Sequence, residues 1–170
     1  MSAARPTTTL SAVHDAIIDA LQARFGARVR QFGAYEPWDY DTESADPDLR
    51  TPALLIELES IGPDGDDIHT PGRVALRCNW AIHAALSIRT EKLQTELREF
   101  AAAVVTTLRR SDPSAPLTPT NGNRWGLGKA VGAPEGVSAQ PGEFRPGLNG
   151  RDSWLITWDQ IVYVDDELPA

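Results

Sequence analysis

The feature that most constrains this chain is a sixteen-residue run from Arg73 to Ile88, in which apolar and polar side chains alternate. Val74, Leu76, Cys78, Trp80, Ile82 and Ala84 fall on one face, and Arg73, Arg77, Asn79 and His83 mark the other. A period of two held over this length is the pattern of a half-buried strand. At ~3.3 Å per residue the run would reach ~50 Å, far beyond the usual strand of about 3–10 residues. The expectation is a strand that projects past the body of its domain and touches other chains. It passes directly into an amphipathic segment ending at Arg110. There Leu93, Leu97, Phe100, Val104 and Leu108 form one helical stripe, Thr90 is the expected N-cap, and Arg109 and Arg110 stand at the negative end of the dipole.

The remaining elements follow from the same periodicities. Leu10, Val13, Ile17, Leu21 and Phe25 predict a helix over about Ser11–Phe25, capped by Thr9 or Ser11 and ended by Gly26. Residues 27–35 read as a short strand, and 36–50 as a polar loop broken by Pro37 and Pro47. The stretch TPALLIELESI (51–61) is a strand with Leu54, Ile56 and Leu58 on one face. The turn-rich connector 62–72 makes it a hairpin partner of the long strand. Asp112-Pro113 stops the second helix, and 111–150 is irregular, with short strands expected only within 124–137. The final strand, 152–164, carries Trp154, Ile156, Trp158, Gln160, Val162 and Val164 on one side and Leu155, Thr157, Ile161 and Tyr163 on the other. Apolar residues on both faces predict a cover on each, by helices within or a partner outside. The result is one α+β domain: a mainly antiparallel sheet with two helices packed on it and a long projecting β-hairpin.

Composition narrows the chemistry. No run approaches the ~20 apolar residues of a membrane span, and the first ten residues hold no apolar signal core, so a cytoplasmic, membrane-free protein is expected. Cys78 is alone on the apolar face, which makes it a structural thiol. Between Glu36 and Asp67 there are eleven acids against the single base Arg50; the chain's net charge is −8, so the rest carries about +2. A dedicated nucleic-acid binder would instead show a clustered basic face. The three histidines, His14, His69 and His83, lack zinc-ligand spacing. The alternating acids from Asp39 suggest a calcium loop but lack its central glycine and terminal glutamate, and the acids of GPDGDDIH with His69 could face a hard cation but are explained as ordinary turn residues. Gly126-Leu127-Gly128-Lys129 is no phosphate cradle, because Ala130 follows the lysine and Pro134 forbids a helix. There is no G-x-S-x-G elbow. An enzyme is not expected, nor any catalytic residue, metal or cofactor. Of the five tryptophans, the three on strands read as core, whereas Trp38 and Trp125, in loop-like segments, read as interface anchors.

The order of elements, with the strand Thr51-Pro52-Ala53-Leu54-Leu55-Ile56-Glu57, the long alternating strand, the Ala-rich helix and the closing Trp154-Leu155-Ile156-Thr157-Trp158-Asp159-Gln160, resembles the tail terminator (tail completion) proteins of long-tailed bacteriophages and their Mu-like prophage relatives. The resemblance implies a virion protein of the tail and neck, assembled in the host cytoplasm. It would form a homo-oligomeric ring, typically of six copies, that caps the tail tube, ends elongation and meets the head connector. The tail tube protein would bind one face, a contractile sheath would touch the periphery, and DNA would pass the lumen without sequence-specific binding. The contact surfaces expected are the hairpin tip, with Asp64, Asp66, Asp67 and His69, and the Glu36–Asp48 loop, with Trp38 and Tyr40. Arg73 and Arg77 on the long strand and Trp125 complete the set. Two alternatives stay open: another neck, head-completion or tail-assembly protein of the same particle, and a small ligand-binding α+β domain or enzyme.

Overall fold

Helix α1 (Leu10–Phe25) starts where Thr9, in extended backbone, accepts a hydrogen bond from the Ala12 amide at its Oγ1, 3.1 Å away. That bond satisfies one of the donors a helix start leaves open. Val13, Ile17, Leu21 and Phe25, four apart, are its buried stripe. Helix α2 (Leu93–Arg109) begins later than Thr90, the expected cap. The Thr90 amide closes a turn onto the Ser87 carbonyl, and Lys92, at φ 54°, holds the cap position with no side-chain bond. Leu97, Ala101, Val104 and Leu108 are its buried residues of the stripe.

The computed structural model describes residues 6–35, 49–65, 72–110, 122–142 and 150–165. Besides the helices these hold strands β1 (Gln31–Ala34), β2 (Ala53–Pro63), β3 (Val74–Ser87), β4 (Glu135–Pro141) and β5 (Arg151–Val164). They form one five-stranded sheet in the order β1-β2-β3-β5-β4. Only β1 and β2 run parallel; the other neighbours are antiparallel.

The hairpin of β2 and β3 is present, but it does not project. β3 pairs with β2 from Ala53↔Ala85 to Pro63↔Leu76, and with β5 over its whole length, from Val74↔Val164 to Ser87↔Arg151. A lone ribbon this long would leave two rows of backbone groups without partners. β5, of the same fourteen residues, supplies one row, so the long strand lies at the centre of its own domain. The turn residues 66–71 lie outside the described residues.

Two further boundaries moved. β1 is shorter than 27–35, and β4 falls later than the expected 124–137. In that window the chain makes a turn at Trp125, a short 3-10 helix at Gly128–Ala130 and one bridge, Val131↔Val162. Gly136, at φ 60°, and a register shift between Glu135 and Ser138 then bend it alongside β5.

Both helices lie on one face of the sheet. Their buried stripes pack with Leu54 and Ile56 of β2, Cys78, Trp80 and Ile82 of β3, and Ile156, Trp158 and Val162 of β5. A small separate cluster, Leu49, Ala53, Leu55 and Ala85 with Tyr35 against it, sits on the other face. Among the described residues no helix covers that second face.

Candidate interaction surfaces

The helix-covered face closes on itself through one polar residue. Gln160 shares the apolar side of β5 with Trp158 and is 1% exposed. Its Oε1 accepts from the indole N–H of Trp125 at 2.8 Å and of Trp158 at 3.2 Å. Its Nε2 donates to the carbonyls of Asn123 at 2.9 Å and Gly132 at 2.7 Å. An indole N–H can only donate and a carbonyl only accept, so these partners fix the orientation of the amide and use its full capacity. They also hold the 122–126 turn, where Trp125 adopts φ 58°, a left-handed conformation that a bulky side chain rarely takes. The Asn123 Oδ1 accepts from the Trp125 amide at 2.9 Å and stabilises the same turn.

The opposite face is polar and only partly covered. The register sets His83 opposite Leu55 and leaves Glu57 on the diagonal. There His83 Nε2 lies 2.7 Å from Glu57 Oε2, and the Tyr35 ring stacks on the imidazole with centroids 3.8 Å apart. Burial lowers the His83 pKa from its ordinary value, more than the bond to Glu57 raises it. A neutral ring donating Nε2–H to Glu57 Oε2 fits that direction. Toward the hairpin tip, Arg77 reaches Asp64 at 3.3 Å and Glu135 at 3.4 Å, and the two hydrogen bonds raise its pKa further. The Arg73 guanidinium lies 3.4 Å from the centre of the Tyr163 ring. Between these groups Leu155, Thr157 and Ile161 of β5 are half-buried. Asn79 Oδ1 and Ser153 Oγ are buried with no hydrogen-bond partner among the described residues.

Of the residues expected to make contacts, Trp38, Tyr40, Asp66, Asp67 and His69 lie outside the described residues. Asp64 and Arg77 come together as an ion pair on the bare face, while Arg73 lies over the Tyr163 ring. Trp125, expected as an interface anchor, is 6% exposed and packs with Trp158 at 6.1 Å between centroids. It lines a cleft of about 410 Å³ between the second half of α1 and the end of α2, which Arg24 and Arg110 also line. Cys78 is buried, and desolvation pushes its thiol up to about 11, so it stays protonated and unreactive.

Sequence reasoning missed Gln160 and the His83–Glu57 pair as organising groups. A lone amide in an otherwise apolar alternation was the available signal for the first. The second depended on strand register, which the sequence leaves open. Among the described residues no three of His, Cys, Asp and Glu converge on a metal position, and no helix is long and apolar enough to cross a membrane. Comparison with protein-family models finds none that matches the chain, and comparison with curated proteins finds no match in sequence.

Proposed function

We propose that this chain is a structural subunit of the tail-terminator kind, which assembles as a ring of copies, caps the tail tube of a long-tailed phage and offers its other side to the head connector. The observation that carries the reading is the bare sheet face. Its half-buried Leu155 and Ile161, its Asn79 Oδ1 without a partner among the described residues, and its ion pairs make a mixed surface. Such a surface suits contact with another protein better than a small substrate, which calls for a concave pocket with converging polar groups. The order of elements along the chain supports the same reading, because it is the order on which the resemblance rests. The acidic balance of residues 36–67 fits a lumen that lets DNA pass without holding it. In this reading the protein belongs to the virion neck and performs no catalysis. The test is electron microscopy and light scattering of the purified chain with and without tail tubes. Closed rings at tube ends and tubes that stop growing are expected. Tubes that elongate unchanged in a molar excess of the chain would exclude the function.

A further inference from the structure

Two surfaces of this chain complement each other yet belong to different elements. The first is the cleft between the helices, which Ala20, Ala23 and the Trp125 ring line with apolar surface and Arg24 and Arg110 with charge. The second is the flank of β2 beyond its pairing with β1. That pairing ends at Ile56, so from Glu57 to Pro63 the strand has β3 on one side and an open edge on the other among the described residues. A register shift between Leu58 and Ser60 turns this flank, and Ile61 stands 51% exposed on it although its cross-strand partner Cys78 is fully buried. Glu59 is exposed beside it.

We propose that the β2 flank of one copy seats in the helical cleft of the next, with Ile61 entering against Ala23 and Trp125 and Glu59 meeting Arg24. The taking of the partner to be a second copy rests on the ring reading above, and charge complementarity favours it independently. An apolar knob edged by carboxylates faces an apolar recess edged by guanidinium groups. Burial and the neighbouring charge of Glu57 already hold the Glu59 carboxyl above its ordinary pKa. A guanidinium across the contact relieves that repulsion. Ile61 is exposed in its own chain, so it does not fill its own cleft. A contact of this type is heterologous: each copy presents one knob and one recess, and repetition closes a ring when the rotation permits. A stable protein interface buries about 1,200–2,000 Å², so the knob is the centre of the contact and not its whole extent.

The test uses the full chain in sedimentation velocity and light scattering across concentration. Ala23 and Ile61 are both exposed, so Ala23→Trp, which plugs the recess, and Ile61→Asp, which spoils the knob, should keep the wild-type circular dichroism and Tm. Each variant alone is expected to weaken self-association by at least about tenfold. Mixed together they should form a one-to-one dimer and nothing larger, because the intact knob of the first fits the intact recess of the second. A wild-type chain that stays monomeric at every concentration overturns the inference, as do variants that assemble like wild type or a mixture without dimers. If both variants still form rings that cap tubes, the inference fails and the ring function stands. If the variants follow the expected pattern but the assemblies do not stop tube growth, the ring function fails and the inference stands.

Discussion

The two faces of the sheet are built from the same three long strands and obey different rules. On the helix-covered face Trp80, Trp158, Ile82 and Ile156 are almost fully buried, and the one polar residue among them, Gln160, has every hydrogen-bonding group partnered. On the bare face the polar residues form separate pairs: His83 with Glu57, Arg77 with Asp64 and Glu135, and Arg73 with Tyr163. The first face is an interior closed around Gln160, although the indole N–H groups of Trp80 and Trp154 have no partner there among the described residues. The second is a set of local solutions to partial burial, any of which a partner chain could rearrange without unfolding the domain.

That contrast is open to attack from its strongest point downward. Replacing Gln160 by Met keeps the volume but leaves two indole donors and two carbonyls without partners. At roughly 1–3 kcal/mol for each buried orphan, partly relieved by relaxation, the variant should lose about 3–5 kcal/mol in urea unfolding. A loss below about 1 kcal/mol would mean that the covered face is less closed than its geometry says. Replacing Leu155 and Ile161 together by Ser should leave most of the fold in place while weakening the binding to tail tubes that the proposed function predicts, read by co-sedimentation. Loss of the cooperative unfolding transition instead would make the bare face a second core.

The pH dependence sharpens the comparison on a single group. His83 has a lowered pKa in the folded chain, so between its folded value and the ordinary one near 6.5 the unfolded chain binds more protons. Stability is therefore full above pH about 6.5 and falls as pH drops toward the folded value. The fall should flatten in His83→Gln, measured by urea midpoints across that window. An unchanged slope would show that His83 is not the titrating group. The smallest effect is expected at Arg77→Ala. Its ion pairs are long and the Arg77 side chain is 42% exposed. A cost of roughly 0–1 kcal/mol that shrinks in added salt is expected. A large, salt-independent loss would give the bare face the same interlocking character as the covered one.

How much of this was legible beforehand differs between residues for physical reasons. The alternation through Val74–Ala84 and the spacing of Val13, Ile17, Leu21 and Phe25 predicted β3 and α1 because burial on one face imposes a period that the sequence must carry. The start of α2 differs because Thr90 is an adequate cap in isolation, but the chain turns between Ser87 and Thr90 and places Lys92 at the cap position instead. β4 was placed too early because Gly136 and a register shift, not hydrophobicity, decide where that segment joins the sheet. Trp125 lies in a turn as its surroundings suggest, but its burial was not legible, since nothing local shows that Gln160, thirty-five positions away, would accept its N–H.

The sequence by itself determined the class: the helices, the hairpin, the terminal strand and the faces each would bury, because side-chain periodicity is a local property. Only the tertiary structure decided that β5 lies along all of β3, that Gln160 joins Trp125 to the sheet, and that His83 meets Glu57. Those facts depend on register and on contacts between distant segments. Many registers satisfy the same alternation, and the energies of packing and buried hydrogen bonds select one.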